Sequence, residues 1–296
     1  MSGCRPDGGR LSNRVAVAVA LAVFVTAVPA LADPPQRAIS NTLGVAVNPI
    51  GLQDQIALSW RWGLSQSKNP FLSDAHFALG VTNTATPASE RVEVWAELSP
   101  LSVLDVKIGL EPVFYFGTFG HLVGFPSYDS DFSREAREAI KDQAVSRTGV
   151  RYHVSPTFKI KLGRVIARSS AEFEWWRVDG PGAYFYEPVR DTLLDSDRDA
   201  LTALSSQLFY EVRGGTGRAR LLAGLFHDRV TVHAAPQNRR QRFGPIAVWA
   251  LGHRRLGLRE PTVIAAVFSY LQDPSKDGDL GGFVAVSFAL GGASAK

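Results

Sequence analysis

Beyond residue 33 the chain is a succession of short segments in which apolar and polar side chains alternate, and no stretch approaches 18 apolar residues. A period of two marks a strand whose two faces meet different surroundings. In 56–64 one face is Ile56, Leu58, Trp60, Trp62 and Leu64, and the other is Ala57, Ser59, Arg61 and Gly63. Further along, Val92, Val94, Ala96 and Leu98 oppose Arg91, Glu93, Trp95 and Glu97, and Leu104, Val106, Ile108 and Leu110 oppose Asp105, Lys107, Gly109 and Glu111. Val150, Tyr152 and Val154 oppose Arg147, Arg151 and His153, while Phe158, Ile160 and Leu162 oppose Lys159 and Lys161. The same holds for Leu204, Leu208, Tyr210 and Val212 against Gln207, Glu211 and Arg213, and for Leu221, Ala223 and Leu225 against Arg220, Gly224 and Asp228. A soluble sandwich would bury the apolar face, but the opposite face carries too many charges for a second buried sheet.

The pattern predicts strands near 42–48, 55–64, 75–83, 91–99, 103–116, 146–154, 158–177, 200–213, 219–229, 245–252, 261–271 and 281–290. Most have the ~9–11 residues with which a tilted strand crosses a bilayer. Connection lengths supply a separate test, since membrane barrels alternate short turns at one end with long loops at the other. Tight turns at 99–102, 155–157 and 214–218 alternate with long stretches at 117–145, 178–199 and 230–244. Residues 253–260 are intermediate and 272–280 form a loop. The first hairpins break the rule, with 49–53 short and 65–74 longish, so ten to fourteen strands fit. Unbroken alternation through 158–177 would turn Glu172 and Glu174 into lipid, at a cost of several kcal/mol. A β-bulge at Gly163 removes that cost by reversing the phase, so that Val165, Ala167, Ala171, Phe173 and Trp175 face out and Arg164, Arg168, Glu172 and Glu174 face in.

The N-terminus carries Arg5, Arg10 and Arg14, an apolar run over 15–28, and then Pro29-Ala30-Leu31-Ala32, the layout of a cleavable secretory signal. An uncleaved membrane anchor is the alternative, because the run approaches a spanning length. Removal of 1–32 takes with it the single cysteine, Cys4, and so excludes disulfides and thiol chemistry. It also takes Arg5, Arg10, Arg14 and Asp7, so 32 basic and 28 acidic residues become 29 and 27, and the net charge falls from +4 to +2. That balance gives no argument for a nucleic-acid partner.

The closing stretch 279–288, Asp-Leu-Gly-Gly-Phe-Val-Ala-Val-Ser-Phe, resembles the last strand of bacterial outer-membrane β-barrels, which alternates and ends on an aromatic residue, here Phe288. It departs in having Val284 and Val286 where aromatics are common, and in running eight residues past Phe288. The resemblance covers 42–290 and is to the porin-like class. It implies an all-β, antiparallel up-and-down transmembrane barrel of about twelve strands in the bacterial outer membrane. The partners implied are outer-membrane lipid, lipopolysaccharide and the barrel assembly machinery, with no cofactor. The chain then divides into a signal (1–32), a periplasmic N-terminal segment (33–41), the barrel (42–290) and a tail (291–296). Aromatics near strand ends, Trp60, Trp62, Tyr115, Phe116, Trp175, Trp176, Tyr210 and Tyr270, are candidates for interfacial girdles.

The inward face then carries Arg61, Arg91, Lys107, Arg147, Arg151, Lys159, Lys161, Arg164, Arg168, Arg213 and Arg220 against Glu93, Glu97, Asp105, Glu111, Glu172, Glu174, Glu211 and Asp228. Charges removed from bulk water must be paired or kept wet, so this lumen is a hydrated channel or a salt-bridged plug. The expected function is a narrow channel for small solutes. The alternative is a plugged barrel acting through its loops. In the last three strands the inward candidates, Ala247, Trp249, Ala265, Val267, Phe283 and Ala285, are uncharged, which predicts one greasy wall. Such a wall suits an amphipathic solute, or packing against a loop or residues 33–41.

Residues 130–141 read as a short charged helix capped by Ser130 or Asp131, either folded inward as a constriction or solvated. Asp195-Ser196-Asp197-Arg198-Asp199 has alternate oxygen ligands for calcium but lacks the glycine and distal glutamate, and otherwise reads as a solvated acidic run. Arg239-Arg240-Gln241-Arg242 suits lipopolysaccharide phosphates or simple solvation. The expectation is that the chain is not an enzyme. Its rival rests on His153-Val154-Ser155, spaced as in outer-membrane phospholipases, and on His227-Asp228, an acid–base pair of the kind outer-membrane proteases use.

Overall fold

The computed structural model describes residues 34–118, 122–214, 219–252, 254–255 and 258–292; the expected signal lies outside them. The wall is built from β1 (Gln36–Val47), β2 (Gly51–Gly63), β3 (His76–Ala85), β4 (Ser89–Leu101) and β5 (Leu104–Tyr115). After the two-residue β6 (Gly124–Phe125) and helix α1 (Arg134–Ala139) it resumes with β7 (Arg147–Leu162) and β8 (Val165–Val178). A hairpin of β9 (Tyr184–Glu187) and β10 (Thr192–Asp195) intervenes before β11 (Asp199–Arg213), β12 (Arg220–Val232) and β13 (Arg239–Ala250). The short β14 (Arg254–Arg255) leads to β15 (Leu258–Gln272) and β16 (Leu280–Gly292). Twelve of these form a closed antiparallel barrel in chain order, completed by β13–β15 and β1–β16 pairing, while β6, β9 and β10 form a separate small sheet. Closure leaves no wall strand with an unpaired edge.

The register shows which surroundings each face meets. Val45, Leu52, Val94, Leu110, Phe158, Leu208 and Val284 are exposed on the outside, whereas Glu93, Glu111, Arg151, His153 and Glu174 are buried inside. Apolar outside and charged inside is stable only where hydrocarbon is the outer solvent. The fold is therefore a transmembrane β-barrel of the outer-membrane type. The start of β1 and the end of β16 lie at the same end, with turns 102–103 and 163–164; the long connections 116–146 and 179–198 lie at the other. By the loop-length rule the first end is periplasmic and the second faces outward.

Several expected details change. Residues 155–157 are not a turn: they lie within β7, where Pro156 pairs with Val106. The chain turns at Gly163-Arg164, with Gly163 at φ 58°, the left-handed region that glycine enters without steric cost. The phase reversal expected from a bulge is thus a two-residue hairpin, which places Leu162 opposite Val165 and keeps both outward. The first strand begins at Gln36, so 36–41 belong to the wall. The connection expected at 230–244 is only 233–238.

In β13 and β15 the faces are opposite to those expected. Trp249 (49% exposed) and Val267 (57%) point outward, and Ile246, Val248, Ile264, Ala266 and Phe268 point inward with Phe283. Both faces of these strands are apolar, so alternation carries no phase there, and the greasy wall forms from the other set. Tyr115, Trp176 and Tyr270 are buried inside rather than in a girdle, while Phe116, Trp175 and Tyr210 are exposed.

Single-tryptophan variants report these faces directly. A chain keeping only Trp249 is expected to be quenched by brominated acyl chains, and one keeping only Trp176 to be protected, as read by fluorescence in lipid vesicles.

Candidate functional site

The lumen is assembled from side chains two residues apart on neighbouring strands, all directed to one face. On β7, Arg151 bonds the Glu111 carboxylate and donates to Glu172 at 2.8 Å, with Glu174 at 3.2 Å. Trp176 Nε1 donates to Glu174 at 2.7 Å. His153 Nε2 lies 2.7 Å from Glu93 and its Nδ1 lies 3.1 Å from Ser155 Oγ, while Lys107 reaches the same Glu93 at 2.6 Å. Gly109 makes this possible, since a Cβ there would lie 2.1 Å from His153 Nε2.

The outer half of this lumen is filled by the 179–198 connection. The β9–β10 hairpin enters the barrel, and the charged groups at its tip contact both sides of the wall. Glu187 pairs with Arg91 at 2.7 Å and accepts from Tyr115 Oη at 3.4 Å. Arg190 donates to Glu172 at 2.7 Å and also bonds Glu174. Asp191 accepts from Lys276 at 2.6 Å on both oxygens and from Tyr186 Oη at 2.6 Å, and Arg240 donates to the Arg190 carbonyl at 2.8 Å. The hairpin's Phe185 and Leu194 pack with Tyr115, Leu122, Trp176 and Val232, and its Tyr186 and Leu193 with Val123, Phe125 and Phe132, all buried. The cap is a packed core with an ionic tip.

Burial disfavours the Arg190 charge, but Glu174 and Glu172 outweigh it and hold the guanidinium proton more tightly than usual. Burial likewise opposes ionisation of Asp191, yet Lys276 and Arg240 hold its carboxyl below the ordinary 3.8. The stability this supplies is complete above 3.8 and is lost as pH falls below it through the depressed value.

Of the residues expected to line the lumen, Arg91, Glu93, Lys107, Glu111, Arg151, Glu172 and Glu174 form this mid-height network. Arg61 (with Asp74), Glu97 (with His76), Asp105 (with Lys159), and Lys161 and Arg220 (both with Glu211) face inward nearer the periplasmic end. Arg147 stands at the outer rim near Asp179, and Arg213 lies exposed past a bulge at the lower rim. Glu187, Arg190, Asp191 and Lys276 were invisible to the alternation because they belong to connections. Arg240 and Arg242 turn into the lumen onto Asp228 rather than outward to lipopolysaccharide. His227 and Asp228, adjacent on β12, face opposite sides of the wall and cannot act together. His153 Nε2 faces Glu93, while its Nδ1 lies nearer to Ser155 Oγ, at 3.1 Å, than to Glu172, at 3.6 Å. Asp199 accepts from Tyr128 Oη and from the Asp195 amide, and no group of three metal-ligating side chains occurs among the described residues. The α1 cap is Ser133, which accepts from the Ala136 amide, and the helix buries no residue.

No protein-family model and no curated protein matches the chain. Among solved structures it is similar to the β domain of the Bordetella autotransporter BrkA, at 12% identity and TM-score 0.41, over 86% of this chain and 98% of that one. It is also similar to the NanC porin, at 8% identity and TM-score 0.42, over 85% and 98% respectively. The translocator domain of the autotransporter NalP from Neisseria meningitidis matches at 9% identity and TM-score 0.35, over 93% and 95%.

Glu174→Ala leaves Arg190 and Arg151 short of a buried partner and is expected to cost about 3–5 kcal/mol in urea unfolding of the refolded barrel. Glu138→Ala, which breaks an exposed pair with Lys141, is expected to leave the midpoint unchanged.

Proposed function

We propose that this protein is a narrow, mixed-charge channel for small solutes, not an enzyme, held shut at its outer mouth by the β9–β10 hairpin. Outer-membrane lipid and lipopolysaccharide surround it in this reading, and the barrel assembly machinery inserts it. The observation that carries the reading is how the hairpin tip is held. Glu187, Arg190 and Asp191 join both sides of the wall through ion pairs, ties that protonation of a carboxylate loosens and that the apolar packing of the cap does not replace. Beneath the tip the inward-facing Lys159 (34% exposed), Arg220 (38%) and Lys161 (50%) are wet, which supports an aqueous vestibule toward the periplasm.

A second reading, a permanently plugged barrel that acts through its loops, draws on a polar cleft of about 480 Å³ on the outer surface, lined by Tyr128, Asp129, Asp131, Asn238 and Asp273. Planar-bilayer recording separates the two. The intact chain is expected to be silent at neutral pH, and replacement of 184–195 by a short Gly-Ser link to give steady ohmic steps. Silence of that variant, with heat-modifiable gel mobility retained, overturns the channel.

The pH dependence follows from Asp191. Openings of the intact chain are expected only as pH falls below 3.8, and Asp191→Asn is expected to shift them toward neutral pH in the same recordings.

A further inference from the structure

We infer that the periplasmic half of the lumen is a binding site for amphipathic anions, molecules with one carboxylate-like head and an apolar body. The inference rests on the lumen being solute-handling, but not on the hairpin opening.

The head site is Arg168. By register it faces inward, directly opposite Lys159 on β7 and Gln207 on β11, and it is exposed to the vestibule. Two cations directly opposite on neighbouring strands repel. Lys159 is engaged by Asp105, and the other cations near this level are engaged too: Lys107 by Glu93, and Lys161 and Arg220 by Glu211. The carboxylates further up the wall are also held, Glu172 by Arg151 and Arg190, and Asp228 by Arg242. Arg168 alone of this set has no hydrogen bond or ion pair among the described residues. Its inward neighbours Ser170, Ser205 and Gln207 are neutral and can donate hydrogen bonds to the same ligand. A guanidinium in this position receives a carboxylate through two parallel bonds.

The body site is the adjoining wall. Ile166, two residues below Arg168, packs with Leu222, Val248, Ile264 and Phe283 against the buried cluster of Phe209, Phe226, Ile246 and Phe268. The first five are only partly buried, so they present hydrocarbon to the vestibule. Near the level of Arg168 the lumen is thus split, with the Lys159–Asp105 pair on one side and Phe209, Phe226, Ile246 and Phe268 on the other, between the Glu211–Arg220 pair below and the Asp228–Arg242 pair above, and Arg168 stands at the seam. A small hydrophilic anion would leave the apolar side unused, and a neutral hydrocarbon would leave Arg168 without a partner.

Calorimetry on the refolded mature chain in phosphatidylcholine nanodiscs tests the site, with empty nanodiscs as blank. The probe is 4-phenylbutyrate, compared with butyrate, which has the head alone, and 4-phenylbutan-1-ol, which has the body alone. Saturable binding of phenylbutyrate is expected, with each half-molecule binding at least about tenfold more weakly. R168Q is expected to weaken phenylbutyrate about tenfold and to leave phenylbutanol unchanged. L222N is expected to weaken both. The inference is overturned if correctly folded protein, shown by heat-modifiable mobility, gives no saturable phenylbutyrate binding, or if R168Q binds it as the parent does. A chain that conducts once 184–195 is replaced but binds no phenylbutyrate overturns the site alone. One that binds but stays silent after the replacement overturns the gate alone.

Discussion

A wall one residue thick gives every strand two solvents, and the rest of this molecule follows from that constraint. Side chains at one parity meet acyl chains, where an unpaired charge costs several kcal/mol. Those at the other parity meet a confined interior where charge is tolerated only with a partner or with water. The twelve strands satisfy both conditions along most of their length, as when Tyr152 is exposed outside between the buried Arg151 and His153.

The interior in turn determines what the connections must do. Glu111, Glu172 and Glu174 gather around Arg151, a carboxylate excess at mid-height. Arg190 supplies the missing positive charge from the hairpin, and Glu187 returns a negative one to Arg91. Wall and hairpin are therefore complementary halves of one ionic cluster, and neither is electrostatically complete alone. The hairpin's own apolar residues, Phe185, Leu193 and Leu194, supply the burial that positions its tip. Below the tip the requirement relaxes, because water reaches Lys161 and Arg168.

The sequence alone shows most of the wall and little of its contents. Charge on one parity marked the inward face of β4, β5, β7 and β8 at mid-height but not at the rims, where Arg164 lies in the hairpin turn beside the exposed Tyr210 and Arg213 lies past a bulge. The misplaced turn at 155–157 did not spoil it, since the true hairpin at Gly163-Arg164 preserves the outward pairing of Leu162 and Val165. In β13 and β15 the phase was lost because Val248 and Trp249 are equally apolar and only packing against Phe226 and Phe283 distinguishes them. Arg190 and Asp191 could not be placed at all. They belong to a connection, where side-chain direction has no period, and their partners Glu174 and Lys276 come from β8 and from the distant 273–279 loop.

The pairing of β1 with β16 has a temporal meaning. It joins the first and last wall strands, so the ring shuts only when the whole chain has been delivered, and the hairpin, lying midway, is present long before. Once shut, the cylinder would have to be entered from the mouth by a segment carrying three ionised groups. A hairpin seated before that last pairing avoids carrying Glu187, Arg190 and Asp191 through the mouth of a finished cylinder.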